Sequence, residues 1–382
     1  MSEWKKVKLG EVITLQRGYD LPKAKFKNGN IPVITSTSIM GYHNVAKEKG
    51  PGVITGRSGT IGQVQYVESD YWPHNTSLFV KDFKGNHPKF IYYFLKDFDP
   101  SRAMTGSAVP TLNRNNLAIL DVIIPPLTTQ HRIATILSRY DSLIESYQKQ
   151  IKLLEEAAQR LYKEWFIDLH FPGHENTPII DGIPEGWEKK KLGELFSFVR
   201  GKSYTSKELS DEGTIMVNLK NIQAFGGYKS DAEKHFLGSF KEDQTLVKGN
   251  LVMGVTDMTQ ERRLVGSVAL IPDFKELATF SMDLIKLVSF KLPNVYLYCA
   301  MRYGDISRQI APLANGVNVL HLKPEAINNI EMVVASDSVI EKFVSYTSKT
   351  IDCILTLQSQ LRLLTEARDR LLPKLMSGEI EV

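Results

Sequence analysis

The chain has 382 residues, 42% of them hydrophobic and 24% charged, an ordinary composition for a globular protein of two or three domains. Its 47 Lys and Arg against 43 Asp and Glu give a net charge of +4, which by itself indicates no particular partner. The two cysteines, Cys299 and Cys353, are too few for a disulfide framework or a thiolate metal cluster. No apolar run approaches the roughly 20 residues of a membrane span, and no secretory signal is recognisable, so we expect a cytoplasmic protein.

A mixed α/β domain is predicted over residues 1–126. Its short runs of Val, Ile, Thr and Tyr, separated by Gly, Asn and Pro, are typical of strands in a twisted sheet, and they fall at 31–36, 52–56, 60–67 and 77–80. Residues 88–98 predict a short helix packed on that sheet. The segment closes with a strand that Pro125 and Pro126 end, because proline can neither donate to a strand ladder nor continue a helix.

A long amphipathic helix is predicted over residues 127–169. Apolar residues recur at alternating spacings of four and three, which is the heptad pattern of a helix that packs along a partner helix. The seam consists of Ile133, Leu137, Tyr140, Ile144, Tyr147, Ile151, Leu154, Ala158, Leu161 and Trp165. At about 1.5 Å per residue, such a helix is on the order of 50 Å long.

The second half of the chain repeats this order. Residues 170–186 are rich in Pro and Gly and predict a linker, 187–335 a second α/β domain, and 336–378 a second long helix. Ser338 and Glu341 have the spacing of a capping box at the start of that helix, and Pro373 is expected to kink or end it. Its seam consists of Phe343, Ile354, Leu357, Leu361, Leu364, Leu371 and Leu375.

Two motifs show that the halves are copies. WKKVKLGEVITLQRG at 4–18 recurs as WEKKKLGELFSFVRG at 187–201, and QKQIKLLEEAAQRL at 148–161 recurs as QSQLRLLTEARDRL at 358–371. The repeat is far longer than the about 20–50 residues of a solenoid unit, so it indicates a duplicated domain. We therefore expect the chain to carry two related recognition surfaces rather than one active site.

The segment TGSAVPTLNRNNLAILDVIIPPLTTQHRIATIL at 105–137, the long helix after it and the doubled Trp-Lys-Leu-Gly-Glu motif together resemble the specificity (S) subunits of type I restriction–modification systems. The resemblance covers essentially the whole chain. It implies two target-recognition α/β domains separated by two long helices that form an antiparallel coiled coil. It also implies that each domain recognises one half of a bipartite, asymmetric DNA site, with a spacer fixed by the helices.

The same resemblance implies a chain that is not catalytic and binds no cofactor itself. Two modification (methyltransferase) subunits using S-adenosylmethionine, and restriction (motor-nuclease) subunits using ATP and Mg, are the implied partners on double-stranded DNA. The second copy lacks the proline turn that precedes the first long helix, so this junction is expected to differ between the copies.

DNA-contacting residues are predicted among polar and basic side chains on loops, because Arg can bind guanine and Asn adenine through two hydrogen bonds. In the first copy these are Arg57, Ser58, Thr60, His74 and Asn75, and in the second copy Asn218, Lys220, Thr256, Asp257, Arg262 and Arg263. Arg17 and Arg200 are common to both copies, so they are predicted to position phosphates or support the fold rather than distinguish half-sites.

Two other functions remain open at this point. A self-contained restriction or methylating enzyme would need a nucleotide-binding glycine motif or a methyltransferase tetrapeptide of the Asn-Pro-Pro-Tyr type, and the sequence has neither. A coiled-coil scaffold that binds only protein explains the helices but leaves the duplicated α/β domains without a role. A DNA-binding subunit of another multi-subunit restriction or methylation system is a further alternative.

Overall fold

The computed structural model describes residues 4–57, 61–100, 104–105, 111–230 and 232–382. The chain divides into two compact units, which we call the first unit (Met1–Leu143 with Glu366–Val382) and the second unit (Ile144–Thr365). Both divisions fall inside the long helices. Each unit therefore consists of an α/β segment together with parts of both helices.

The first unit is built on a four-stranded antiparallel sheet in the order Thr14–Arg17, Ser77–Asp82, Gly52–Gly56, Val64–Val67. The helix Pro88–Asp97 packs on this sheet through Phe90, Ile91 and Phe94, as the sequence predicts. The strands of this unit are Lys5–Lys8, Thr14–Arg17, Ile31–Ile34, Ile39–His43, Gly52–Gly56, Val64–Val67, Trp72–Pro73, Ser77–Asp82, Met104–Thr105, Thr111–Leu112 and Asp121–Ile124.

The second unit contains the equivalent four-stranded sheet, in the order Phe196–Arg200, Leu284–Ser289, Leu251–Gly254, Val268–Leu270. The helix Asn294–Tyr303 corresponds to Pro88–Asp97. The strands are Ile179–Ile180, Ile183–Pro184, Glu188–Lys191, Phe196–Arg200, Leu209–Ser210, Thr214–Val217, Lys234–Phe236, Leu251–Gly254, Thr256–Asp257, Val268–Leu270, Ala278–Phe280, Leu284–Ser289, Leu320–His321 and Glu331–Val334. The α-helices of the chain are Leu9–Val12, Pro88–Asp97, Arg114–Ala118, Leu127–Tyr162, Leu192–Leu195, Asn294–Tyr303, Ile306–Ile310 and Asp337–Ser377.

Equivalent backbone hydrogen bonds show that the units share one framework. Gly18 N–H donates to the carbonyl oxygen of Ser77 at 3.0 Å, and Gly201 N–H donates to that of Leu284 at 3.1 Å. Ser77 and Leu284 are each the first residue of a strand. In each unit that strand pairs with the strand that ends directly before the glycine, at Arg17 or at Arg200. The motif that recurs in the sequence therefore makes the same structure twice.

The first long helix, Leu127–Tyr162, has 36 residues and continues into one π-helical turn, Lys163–Ile167. All ten residues of its predicted seam are buried or half-buried. In the first unit Ile133 and Leu137 pack in the core, and in the second unit Ile151 and Trp165 do the same.

The second long helix, Asp337–Ser377, has 41 residues, which excludes an end at Pro373 and corrects the expected cap at Ser338. It runs through Pro373 without ending there. Pro373 is exposed, and so is Asp369, whose carbonyl loses its N–H partner, so water can satisfy that carbonyl. Ser338 lies inside the helix and does not cap it, because the Ser336 carbonyl already accepts the N–H groups of Val339 and Ile340, both at 3.0 Å.

The segment 170–186 is folded rather than extended. A short hairpin pairs Ile179–Ile180 with Ile183–Pro184, and a 3₁₀ turn covers His174–Asn176. The rings of Phe171 and Trp187, 5.1 Å apart, are both buried in the second unit's core. The prolines and glycines of this segment therefore make turns that pack on the domain following them.

We predict that Gly18→Ala lowers the free energy of unfolding of the first unit by about 1–3 kcal/mol or more, the range for overpacking. A Cβ at Gly18 would overlap the carbonyl oxygen of His74, just as one at Gly201 would overlap that of Ser281, and neither backbone can move aside cheaply. Thermal and urea denaturation measure the loss. Gly10→Ala is the milder control, since its Cβ would lie 3.1 Å from Ala118 within a helical turn. Equal stability of the two variants would contradict this account.

Candidate functional site

Three loops of the second unit line a cleft of about 970 Å³. They follow the strands Thr214–Val217 and Leu251–Gly254 and the helix Asn294–Tyr303. Five basic side chains line the cleft against two acidic ones: Lys163, Arg262, Arg263, Arg302 and Arg308 against Glu261 and Asp305. Four of the five form ion pairs, Lys163 with Asp168, Arg263 with Glu261, Arg302 with Glu155 and Arg308 with Asp305, so the cleft keeps a small excess of positive charge. A small positive excess suits an anionic ligand such as a phosphate backbone.

The predicted contact residues Thr256 and Asp257 are buried at 3% and 1% exposure, at the base of the loop 258–264. Asp257 accepts hydrogen bonds from the Thr259 N–H through Oδ1 and from the Leu264 N–H through Oδ2, both at 2.8 Å. Thr256 Oγ1 donates to Asp283 Oδ1 at 2.8 Å. Both side chains thus shape the loop from inside and are unsuited to touching a base.

Asn218 is likewise interior, at 4% exposure. Its Oδ1 accepts the Lys220 N–H at 3.0 Å, while its Nδ2 donates to Asn221 Oδ1 at 3.0 Å and to the Ala232 carbonyl at 2.7 Å. These bonds cap the turn Leu219–Asn221. Asn218 therefore holds this turn, and its contact with a base stays a prediction.

Arg262 and Arg263 line the cleft, as does the backbone around them. Arg262 has a positive φ of 53°, and its Nε is buried without a hydrogen-bond partner among the described residues. Arg263 is half exposed and paired with Glu261. Because this Nε is shielded from solvent, a contact of Arg262 with a ligand would come from its terminal guanidinium nitrogens, of which Nη1 donates to the Pro312 carbonyl at 3.5 Å.

Lys220 is exposed and lines a second, neighbouring cleft of about 780 Å³. Lys229 and Lys234 line the same cleft, and Lys234 Nζ donates to the Tyr204 hydroxyl at 2.9 Å. Gln223 and Ala224 border both clefts. The basic surface of the second unit is therefore continuous across this loop.

In the first unit, Arg57 follows the strand Gly52–Gly56 directly and is half-buried. Its N–H donates to the Thr76 carbonyl at 3.1 Å, the bond that Val255 makes to Asp283 at 2.9 Å in the second unit. Arg57 thus corresponds to Val255 and not to Arg262 or Arg263. Ser58 and Thr60 lie outside the described residues.

Neighbouring loops meet near Arg57 as well. Gln63 Nε2 donates to the Thr37 carbonyl at 3.2 Å, and Gln65 Nε2 donates to the Thr35 carbonyl at 2.8 Å. These bonds join the loop after Gly52–Gly56, and the strand Val64–Val67 that follows it, to the loop after Ile31–Ile34. The first unit thus brings together the counterparts of two loops that line the second unit's cleft.

His74, Asn75 and Arg17 form a separate group. Arg17 Nε donates to the Asn75 carbonyl at 3.4 Å, and Asn75 Nδ2 donates to Asp20 Oδ1. Burial lowers the pKa of His74, which the charge of Asp20 only partly offsets. In the second unit Arg200 pairs with Glu325 at 2.6 Å. Because both shared arginines contact their own unit, these contacts fit the supporting role predicted for them.

Sequence reasoning missed Arg302. It forms a two-bonded ion pair with Glu155 at 2.8 and 3.0 Å, also donates to the Tyr298 hydroxyl, and both charged side chains are largely buried. Burial lowers the pKa of Arg302, but Tyr298 and Glu155 outweigh burial and leave that pKa above its ordinary value. Nothing in the sequence pairs residues so far apart. The ion pair fixes one wall of the cleft to the first long helix.

Within the described ranges, no group of three or more His, Cys, Asp or Glu residues could hold a metal ion. None of the helices described is both long enough and apolar enough to cross a membrane.

Comparison with known proteins agrees with this architecture. Residues 1–156 match the family described as type I restriction modification DNA specificity domain. The type I restriction enzyme MjaIX specificity subunit of Methanocaldococcus jannaschii is 27% identical, covering 99% of this chain and 93% of that protein. The HindI specificity subunit of Haemophilus influenzae is 20% identical, covering 100% of both.

A solved structure shares the fold: the crystal structure of the type I restriction–modification S subunit from M. genitalium, at 18% identity and a TM-score of 0.64, covers 98% of this chain and 96% of that one. The chain is thus similar to type I specificity subunits over nearly its whole length, which confirms the resemblance inferred from the repeated motifs.

We predict that Asp257→Ala loosens the loop 258–264, because the N–H groups of Thr259 and Leu264 lose their acceptor. A buried group left unsatisfied costs about 1–3 kcal/mol. Hydrogen exchange of the amides in 258–264 should accelerate while the sheet amides change little. Asp273→Ala is the control, since Asp273 accepts the Lys275 N–H in an exposed turn. Unchanged exchange in 258–264 would exclude Asp257 as the loop's anchor.

Proposed function

We propose that this chain is the DNA-specificity subunit of a type I restriction–modification complex, in which each unit recognises one half of a bipartite, asymmetric target. The supporting observation is one framework built twice with different loops at the same position. The shared bonds of Gly18 and Gly201 mark the framework. At one equivalent loop position, by contrast, the first copy has Arg57 and the second copy has Val255. Equal frameworks with unequal loops are what two different half-sites require.

The basic clefts support DNA as the ligand. Lys and Arg that neutralise phosphates supply affinity, whereas side chains that reach base edges in the major groove supply specificity. In the second unit the exposed Lys220 fits the first role, and Arg262 and Arg263 fit the second, since they lie on a shaped loop.

We further propose that the long helices form an antiparallel coiled coil that sets the spacer between half-sites. In the second unit the rings of Tyr162 and Trp165 lie 6.0 and 5.8 Å from that of Phe343. In the first unit Asp141 pairs with Arg368 at 3.0 Å. Contacts between the end of one helix and the start of the other, in each unit, are those of an antiparallel pair.

On this proposal the chain itself is not catalytic. Two modification subunits using S-adenosylmethionine dock on the helices, and restriction subunits using ATP and Mg complete the complex on double-stranded DNA in the cytoplasm. The exposed charged faces of the helices, which include Arg160 and Glu156, are the docking surface we propose.

We predict that Arg57→Ala alters recognition of one half-site only, and that Arg262→Ala or Arg263→Ala alters only the other. A lost contact to a base edge should cost about 1–3 kcal/mol of discrimination at one position. The measurement is binding of the chain, assembled with its modification subunits, to duplexes varied one base pair at a time at fixed salt.

The control is Lys275→Ala, an 81% exposed basic residue of the second unit that lines neither cleft. Lys220→Ala should weaken binding to all DNA sequences alike. It should also reduce the slope of log affinity against log salt by about one, the change expected for one lost phosphate contact. Uniform weakening by every arginine variant would make these residues phosphate contacts. An assembled complex without any sequence preference would refute the proposed function.

We predict that lengthening both helices by one heptad lengthens the spacer by up to about three base pairs, since seven residues rise about 10 Å and a turn of B-DNA is about 34–36 Å. Insertions after Leu143 and after Thr365 fall where the two units divide, so each unit keeps all its residues. Methylation mapping with the modification subunits measures the spacer.

A seven-residue insertion keeps the seam in register, because the pattern repeats every seven residues. Inserting seven residues into the first helix alone is the control, since the added heptad then has no opposite heptad in the second helix and its apolar residues stay uncovered. Unchanged spacing in a folded, active double-insertion complex would show that the helices do not set the spacer.

A further inference from the structure

Two loops of the second unit are longer than their counterparts in the first. The strand Ile31–Ile34 connects to Ile39–His43 through 35–38, whereas Thr214–Val217 connects to Lys234–Phe236 through 218–233. These strands are equivalent because the His74 N–H donates to Ile34 and the Ser281 N–H donates to Val217, both at 2.8 Å.

The second enlarged loop follows the next strand of the framework. Gly52–Gly56 connects to Val64–Val67 through 57–63, whereas Leu251–Gly254 connects to Val268–Leu270 through 255–267. The two enlarged loops contact each other, because the Phe225 N–H donates to the Arg263 carbonyl at 3.1 Å. The Gly227 N–H also donates, at 2.8 Å, to the carbonyl of Val268, the residue that follows the second loop. They therefore form one element that the first unit does not have in this form.

Phe225 stands out in this element. Its side chain is 61% exposed, although it lines the basic cleft, and it belongs to none of the core clusters of the second unit. Its φ of 67° lies in the left-handed region, which is unfavourable for a bulky residue. A phenylalanine that is strained and also solvent-exposed gains nothing for folding, and such outliers cluster at functional sites.

The backbone that carries Phe225 is held firmly. Gly226 and Gly227 also have positive φ, and a Cβ on either would lie within about 3 Å of the Arg302 side chain, at 2.9 Å from Cγ and 3.0 Å from a guanidinium nitrogen. Arg302 is itself fixed by Glu155. The ring is therefore presented from a rigid support, which is what a specific contact needs.

We propose that Phe225 is a specificity-determining residue that packs against the 5-methyl group of a thymine in the half-site recognised by the second unit. This inference rests on the proposed function. An aromatic ring flanked by Arg262 and Arg263 combines an apolar contact with charged neighbours that approach phosphates and base edges, and the thymine methyl is the apolar group that the major groove offers.

The experiment measures binding of the assembled complex to its methylation-mapped target, with each thymine of the second half-site replaced in turn by deoxyuridine. Removing the contacted methyl should weaken wild-type binding about fourfold, the effect of one buried methyl-sized group. Phe225→Gly should weaken binding about tenfold or more and abolish the deoxyuridine effect at that position, since the ring and the methyl interact with each other. Phe225→Leu should retain part of both.

Phe225→Gly is chosen because glycine adopts a φ of 67° without strain, so the fold should be at least as stable as wild type, which thermal denaturation checks. Phe290→Ala is the matched control, a phenylalanine 58% exposed in the same unit but outside the cleft, and it should leave DNA binding unchanged.

A wild-type complex insensitive to every deoxyuridine substitution, or a Phe225→Gly complex as sensitive as wild type, overturns the inference while leaving the proposed function intact. A wild-type complex without sequence-specific binding refutes the proposed function instead.

Discussion

Burial of the apolar seams of the two long helices is the constraint on which the rest of the structure depends. A helix of 36 or 41 residues with a continuous apolar face is stable in water only when that face is covered. In the second unit Trp165 and Phe343 pack with Tyr296 of the α/β segment, and in the first unit Leu137 and Leu375 share a core with that unit's sheet and helix. Helices and domains therefore stabilise each other, and neither unit is complete without both.

Buried ion pairs add direction to this apolar packing. Arg302 and Glu155 join the short helix of the second unit to the first long helix, and Arg368 and Asp141 join the two long helices within the first unit, where the Tyr93 hydroxyl also donates to Asp141 at 2.6 Å. Removing one partner of such a pair leaves a charge uncompensated, so register is specified more sharply than by apolar contact alone. In the second unit the Arg302–Glu155 pair also supports the cleft, so it connects the first long helix to the recognition loops.

Duplication separates what must stay from what can vary. The glycines at 18 and 201 are required because the backbone approaches the carbonyl oxygens of His74 and Ser281 too closely for a side chain, so both copies keep them. The loops after the shared strands carry no such constraint and differ in length and composition. An element such as Phe225 on its two glycines can therefore arise in one copy without disturbing the framework common to both.

The sequence by itself determined the duplication, the α/β character of each half and the helical seam from Ile133 to Trp165, because repeated motifs and heptad spacing are local patterns. Only the tertiary structure decided that Asn218 and Asp257 hold their own turns and that the second long helix passes through Pro373. A polar residue after a strand can either face a ligand or accept the N–H groups of its own loop. The packing of distant segments around it makes that choice, and no local pattern records which segments those are.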